Sequence, residues 1–334
     1  MKLHSLAGAA AFALALPALS PAHAAGSLDL SRYQVSATYS LDAVAGVRAV
    51  SGLEASAVTY ARDRGTLFFV GDEGTGVIEI SRTGQTLGSM AFDWTGTAST
   101  NHDTEGLTYL GGGVLVVSEE RLYDAYRFDF TSGGIATLAN SAASISNAVV
   151  GNNGLEGLSV DPRNGSFVTV KQQSPQDVLA GTLSFAAGSG GASTMSALFD
   201  PAALGVATLS DIQTLSPIDA LAGTPAADHL LILSLGSRRL LEVNRLGQVL
   251  SFLDLSSVLP HNGIEGVTVD ENGTIYLVAE QVQDGSNLPF DPNPRSQLIV
   301  LTTAPIPEPG TYALMLAGLG GLALVSRRKR KTAA

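Results

Sequence analysis

His102-Asp103-Thr104-Glu105-Gly106-Leu107-Thr108-Tyr109 is the stretch on which the reading of this chain turns. An acid, a glycine, a large aliphatic residue and a hydroxyl residue stand there in order. The same order returns at Leu155-Glu156-Gly157-Leu158-Ser159-Val160 and at Ile264-Glu265-Gly266-Val267-Thr268-Val269. Two looser copies fit between and before them, Ala55-Ser56-Ala57-Val58-Thr59-Tyr60 and Ile212-Gln213-Thr214-Leu215-Ser216-Pro217. With positions 56, 105, 156, 213 and 265 as anchors, the steps are 49, 51, 57 and 52 residues. A near-constant period of this length marks a repeat architecture.

Working outward, each copy is followed by a β-rich apolar run that ends in polar residues. The runs are Leu67-Phe68-Phe69-Val70-Gly71-Asp72, Val114-Leu115-Val116-Val117-Ser118-Glu119, Phe167-Val168-Thr169-Val170-Lys171-Gln172, Leu230-Leu231-Ile232-Leu233-Ser234 and Ile275-Tyr276-Leu277-Val278-Ala279-Glu280. A continuous apolar run of this length reads as a strand buried on both faces. Two further strands follow in the clearest copies. Val77 to Leu87 parallels Leu240 to Leu250, each with an Arg-x-Gly turn between two strands. Four strands per repeat is the unit of a β-propeller blade. The sequence therefore predicts an all-β propeller of five blades, with six as the alternative if 185–212 holds a further unit. The fifth copy stops at Pro305 without a fourth strand, and Tyr33 to Tyr39 is an unpaired strand ahead of the first copy. That N-terminal strand is expected to complete the last blade and close the ring, which removes open sheet edges.

Composition agrees. The 334 residues carry 15% charged side chains and 37 glycines, a balance that suits short strands and tight turns better than a helical bundle. There is no cysteine, which excludes thiolate metal sites and cysteine nucleophiles. Residues 1–24 read as a signal peptide: Lys2, an apolar stretch from Leu6 to Leu19, and Ala22-His23-Ala24 before a mature start at Ala25. Near the other end, Pro307-Glu308-Pro309 precedes an apolar run from Tyr312 to Val325 and then Arg327, Arg328, Lys329, Arg330 and Lys331. The run is short for an ordinary spanning helix, and the basic cluster belongs on the cytoplasmic side. Between the two signals, 25–306 holds 13 basic and 29 acidic residues, net −16. Such a chain is a poor partner for nucleic acid and a plausible binder of cations.

The order Pro-Glu-Pro, short apolar helix, arginine cluster resembles the PEP-CTERM sorting signal over residues 305–331. The resemblance implies processing by exosortase, after signal peptidase, in an exopolysaccharide-making Gram-negative bacterium. It also implies an inner-membrane intermediate that reaches the cell surface or the medium, membrane-bound only through its C-terminal helix. The domains are then 1–24 (signal peptide), 25–304 (propeller) and 305–334 (sorting signal). The repeat itself, in the Glu54–Tyr60, His102–Leu107, Gly154–Leu158 and Gly263–Val267 copies, resembles the SdiA-regulated propeller family over roughly 32–302. It is also similar to propellers of the esterase-like phytase type. The first resemblance implies a fold and little chemistry. The second implies a phosphate or ester hydrolase.

Antiparallel neighbours put the start of each first strand and the end of each second strand on one face. Ser56, Glu105, Glu156, Gln213 and Glu265 are therefore expected at one channel mouth, with Asp72, Glu119, Gln172 and Glu280 around them. His102, Asp103, Asn153, His261 and Asn262 are expected to flank it, and the insertion Gln281 to Ser296 to lie over it. Three readings stay open. Each glutamate accepts backbone N–H groups of the neighbouring blade, with the following glycine allowing close approach. Or Glu105, Glu156 and Glu265, with Asp72, Glu119 and Glu280 as outer members, hold a divalent cation, for which oxygen-only ligands point to calcium or magnesium, Ca2+ before Mg2+. Or the mouth is a metal-assisted hydrolase with His102 or His261 as base and Lys171 as anion holder. His229 reads as a surface residue and Trp94 as packing. The expected role is a surface or secreted binding module for exopolysaccharide or another surface ligand.

Overall fold

The computed structural model describes residues 27–146, 151–188, 191–281 and 294–304. The predicted signal peptide, the C-terminal sorting segment and most of the 281–296 insertion lie outside them. Five four-stranded blades surround one axis. Their innermost strands are Ala55–Ala61, Thr104–Gly111, Leu155–Asp161, Asp211–Thr214 and Ile264–Val269. These five touch one another in sequence, and the last touches the first, so the ring is closed. The fifth blade is completed by Tyr33–Ser40, which pairs antiparallel with Gln297–Thr303. Residues 185–212 hold no sixth blade: among the described ones there are only a short hairpin strand, the outer strand Ser196–Phe199 and one 3-10 turn. The first blade gains a fifth strand, Ile135–Thr137, parallel to Thr86–Asp93 and borrowed from the connection inside the second blade.

The apolar runs are buried on both faces because each blade is wedged between two others. In Thr66–Gly71, Leu67 and Phe69 pack toward the fifth blade with Tyr276 and Val278, whereas Phe68 and Val70 pack toward the second with Leu107 and Leu115. The same alternation gives five apolar clusters, one at each blade interface.

Near the axis the blades approach too closely for ordinary side chains. A Cβ on Gly157 would stand 1.9 Å from Asp211 Oδ1, 2.5 Å from Asp211 Cα and 2.6 Å from Ile212 N. A Cβ on Gly106 would meet Glu156 O at 2.6 Å. The hydroxyl three positions after each motif acid then bridges to the next blade. Thr59 Oγ1 accepts the Tyr109 N–H, Thr108 Oγ1 that of Val160, Ser159 Oγ that of Thr214, and Thr268 Oγ1 that of Tyr60, all at 3.1–3.2 Å. The fourth blade has Gln213 in that column, and its Oε1 accepts from Thr268 Oγ1 at 3.1 Å. A ring of five bonds thus stitches the inner strands together.

The N-terminal segment is fastened at a second point. The buried Glu242 carboxylate, on the fourth blade, accepts Ser27 Oγ at 2.6 Å, Leu28 N at 2.9 Å and Asp29 N at 3.3 Å. Ser251 Oγ and His229 Nδ1 complete its shell at 2.8 and 2.9 Å. Burial alone would raise this carboxyl, but the bonds from Ser27, His229, Leu28 and Ser251 outweigh it and hold it below the usual range. His229 is therefore a buried partner of Glu242, not the surface residue its sequence suggests. Residues 27–40 so bridge the fourth and fifth blades.

Two outcomes follow for stability. Gly157→Ala sets a Cβ against backbone and should cost about 1–3 kcal/mol or more in denaturant unfolding; an unchanged midpoint would mean the inner strands have slack. Glu242→Gln should cost about 1–3 kcal/mol and speed proteolytic loss of the N-terminal residues, leaving the rest of the digest pattern unchanged.

Candidate metal site at the acidic mouth

The glutamates reach the axis because each inner strand is irregular at that residue. Register skips between Ala55 and Ala57, Thr104 and Gly106, Leu155 and Leu158, and Ile264 and Gly266. Ser56, Glu105, Glu156 and Glu265 sit in the skipped positions, left out of the ladder with side chains re-aimed, as β-bulges do. The three glutamates open on a 380 Å³ cavity at the start of the inner strands, whereas Ser56, expected there too, is not in its lining and donates to Glu54 O. Among the described residues its lining includes nine carboxylates, those of Glu54, Asp72, Glu73, Asp103, Glu105, Glu120, Glu156, Glu265 and Glu280, against one guanidinium, Arg121.

Five of the six expected ligands, Asp72, Glu105, Glu156, Glu265 and Glu280, line this cavity, as do Asp103 and Gln172. Glu119 does not. It pairs with Thr104, and its buried carboxylate accepts Ser99 Oγ at 2.8 Å and Leu122 N at 2.7 Å. Its neighbour Glu120 is the one that follows the strand end, as Asp72 and Glu280 do. Gln213 lies at the opposite end of the channel. In the fourth blade Asp211 pairs with Leu233 where Gly266 pairs with Val278, so Ser210 stands in the acid column. Asp211 itself turns sideways: Oδ2 accepts Val267 N of the fifth blade at 2.6 Å and Oδ1 accepts Ile212 N at 2.7 Å.

Apart from Asp103, the flanking residues stay out of the cavity lining. His102 stacks on the buried Trp94 ring, centroids 4.9 Å apart. His261 is exposed. Asn262 donates to Glu280 O at 2.7 Å, and Asn153 accepts from Gln173 Nε2 at 2.6 Å. Lys171 Nζ is buried and spent on Gln173 O and Pro175 O, both at 2.6 Å. None of the base or anion-holding candidates lines the cavity. Glu54, Glu73, Glu120 and Arg121 do, although the motif alignment passes over them.

Electrostatics follow from this crowding. Burial lifts Glu105 well above the usual carboxylate range, and Glu156 and Glu265 add to the shift. Burial does the same to Glu156, assisted by Glu120, and to Glu265, assisted by Glu280. Asp72 is pushed up to about 8, by burial first and then by Glu54 and Glu280. Glu120 rises to about 7, burial again leading. Asp72 Oδ1 is buried and has no hydrogen-bond partner. Asp72, Asp103 and Glu105 each offer an oxygen, all within 4.8 Å of one another. Arg121 Nε holds the second oxygen of Asp103 at 2.7 Å.

Comparisons with known proteins agree with this architecture. A Myxococcus xanthus glutaminyl cyclase structure superposes with a TM-score of 0.51 at 13% identity, covering 82% of this chain and 97% of that one. A luciferin-regenerating enzyme matches at 0.46 and 11% identity, over 80% and 95%. At 13% identity the likeness to the glutaminyl cyclase is one of fold. Residues 305–331 match the PEP-CTERM protein-sorting motif, so this is an exported protein processed by exosortase at the membrane and placed at the cell surface. Among the described residues no helix is long and apolar enough to cross a membrane; the short apolar segment expected at 312–325 lies outside them. Residues 30–282 match the model of the SdiA-regulated family, and the chain belongs to that family.

Proposed function

We propose that this exported propeller is a surface binding module whose acidic mouth holds a divalent cation, Ca2+ before others. The observation that carries the reading is the trio Asp72, Asp103 and Glu105, whose oxygens lie within 4.8 Å of one another. Ca–O distances of about 2.3–2.6 Å let two ligands of one ion stand up to about 5 Å apart. Carboxylates that converge so closely must either share protons or share a cation. The partnerless Asp72 Oδ1 supports the second alternative, and the oxygen-only donor set favours a hard ion. The outer acids Glu156, Glu265 and Glu280 would offset its charge. The rim, Arg121 included, would meet the surface ligand.

Two measurements test this. Calcium titrated calorimetrically into chelator-stripped protein should bind near one equivalent, and Glu105→Gln should weaken it about tenfold or more. Saturating calcium at 100 times Kd adds about 2.7 kcal/mol, or about 4–5 °C in Tm for a chain of this size. Absence of both heat and shift removes the cation from the mouth. The second is pH dependence without metal. Carboxyls raised in the fold hold protons that the unfolded chain has released, so stability falls as pH rises from the ordinary carboxylate range toward 8, through the values of Glu120 and Asp72. Metal-free Tm should therefore drop between about pH 5.5 and 8.5, and calcium should cancel most of the drop. A metal-free Tm that is flat or rising over that range contradicts the electrostatic account.

A further inference from the structure

The other end of the channel has a different chemistry. A 520 Å³ cavity opens where the inner strands finish, within the size range of small-molecule sites. Tyr109, Leu110, Pro162, Val160 and Pro217 give it an apolar lining. The guanidinium of its lining is already paired. Arg62 makes a two-pronged ion pair with Asp219 at 2.8 and 2.9 Å, and Asp63 accepts the Gly112 N–H at 2.9 Å.

Two hydroxyls in this lining are only half used. Thr59 and Thr108 are 5% and 3% exposed, and each oxygen accepts the N–H of the next blade. Among the described residues, neither O–H has a protein acceptor. The other two hydroxyls of the ring differ. Thr268 donates to Gln213, and Ser159 is left as donor to Thr214 because Thr214 gives its own hydrogen to Val160 O. The Ser216 hydroxyl, on the same lining, is buried and makes no hydrogen bond of normal geometry.

We propose that this cavity binds a neutral pyranose sugar ring. A purely apolar ligand would bury two donors without acceptors, which is costly. An anionic ligand would find Arg62 already paired with Asp219 and would meet the Asp63 carboxylate. A sugar ring combines a C–H face for the tyrosine, leucine and proline lining with ring and hydroxyl oxygens that accept from Thr59 and Thr108. It can also donate to Ser216. The site shares no lining residue with the acidic mouth and does not depend on the cation reading.

The test is saturation-transfer NMR on the full-length protein with the methyl glycosides of glucose, galactose, mannose and N-acetylglucosamine. At least one should receive saturation, unchanged by EDTA. Leu110→Arg, at a position 36% exposed, should abolish the signal by filling the cavity while leaving Tm nearly unchanged. Thr108→Val should weaken binding roughly five- to tenfold, and Thr108→Ser should restore it. Should Thr108→Val fail to fold, Leu110→Arg decides alone. No transfer to any of the four glycosides, an equal signal in Leu110→Arg, or loss of the signal in EDTA overturns the proposal.

Discussion

Five strands crowding one axis impose the constraint on which the rest of this propeller depends. At that radius the backbones of neighbouring blades come within contact of each other, so Gly106 and Gly157 have no room for a Cβ. Backbone N–H groups brought that close to a neighbouring blade need acceptors. The hydroxyl column supplies them, each Thr or Ser handing its oxygen to the next blade. The motif acid-glycine-aliphatic-hydroxyl is thus a record of packing near the axis. Its glycine gives clearance, its aliphatic residue enters an interface cluster, and its hydroxyl joins the ring. Only the acid is left without a structural task.

That leftover is what makes the mouth unusual. In four blades the register slips at this position, and in the three that carry a glutamate there the side chain leaves the sheet for the channel. The fourth blade shows the alternative. There the acid, Asp211, has moved one place along and bonds the Val267 N–H of the next blade. It performs the blade-to-blade role that the sequence allows for every motif glutamate. Glu105, Glu156 and Glu265 face one another and other carboxylates instead, which costs free energy in the metal-free fold. Such crowding is tolerated only where protons or a counter-ion offset the repulsion between the carboxylates.

The fold was legible in the sequence because period and burial are both written in it. The 49- to 57-residue spacing gave the blades, the uninterrupted apolar runs gave the second strands, and the orphan strand at 33–39 gave the closure. The lining of the acidic cavity was legible in part: five of the six acids named for it are there, whereas Glu54, Glu73 and Arg121 have no place in the motif. Glu119 and Glu120 are adjacent and chemically alike, and only the pairing of Thr104 with Glu119 decides which one enters the cavity. The fourth blade misled for a related reason. Its inner strand, Asp211–Thr214, is four residues long and lacks the glycine, so nothing in the sequence anchors the register. Gln213 then matches the acid column by spacing, although it belongs to the hydroxyl column. His229 misled because its partner Glu242 and the Ser27–Asp29 segment that covers the pair come from distant parts of the chain.

The two ends of the channel differ because the inner strands are parallel to one another around the axis. Every copy of the motif begins at the same end, so five repeats concentrate whatever stands first in the motif at one mouth and whatever stands last at the other. Acids come first and hydroxyls come later, and the repeat turns that order into two chemically distinct cavities, one crowded with carboxylates and one lined mainly by hydroxyls and apolar side chains. A single substitution in one blade changes either mouth by one fifth of its ring, while the Gly and apolar columns that build the fold stay untouched. The fourth blade already demonstrates such independence. It has lost the acid from the first mouth and the hydroxyl from the second, yet its interface clusters with the third and fifth blades are intact. Binding chemistry in this architecture can therefore vary blade by blade without altering the packing that holds the ring closed.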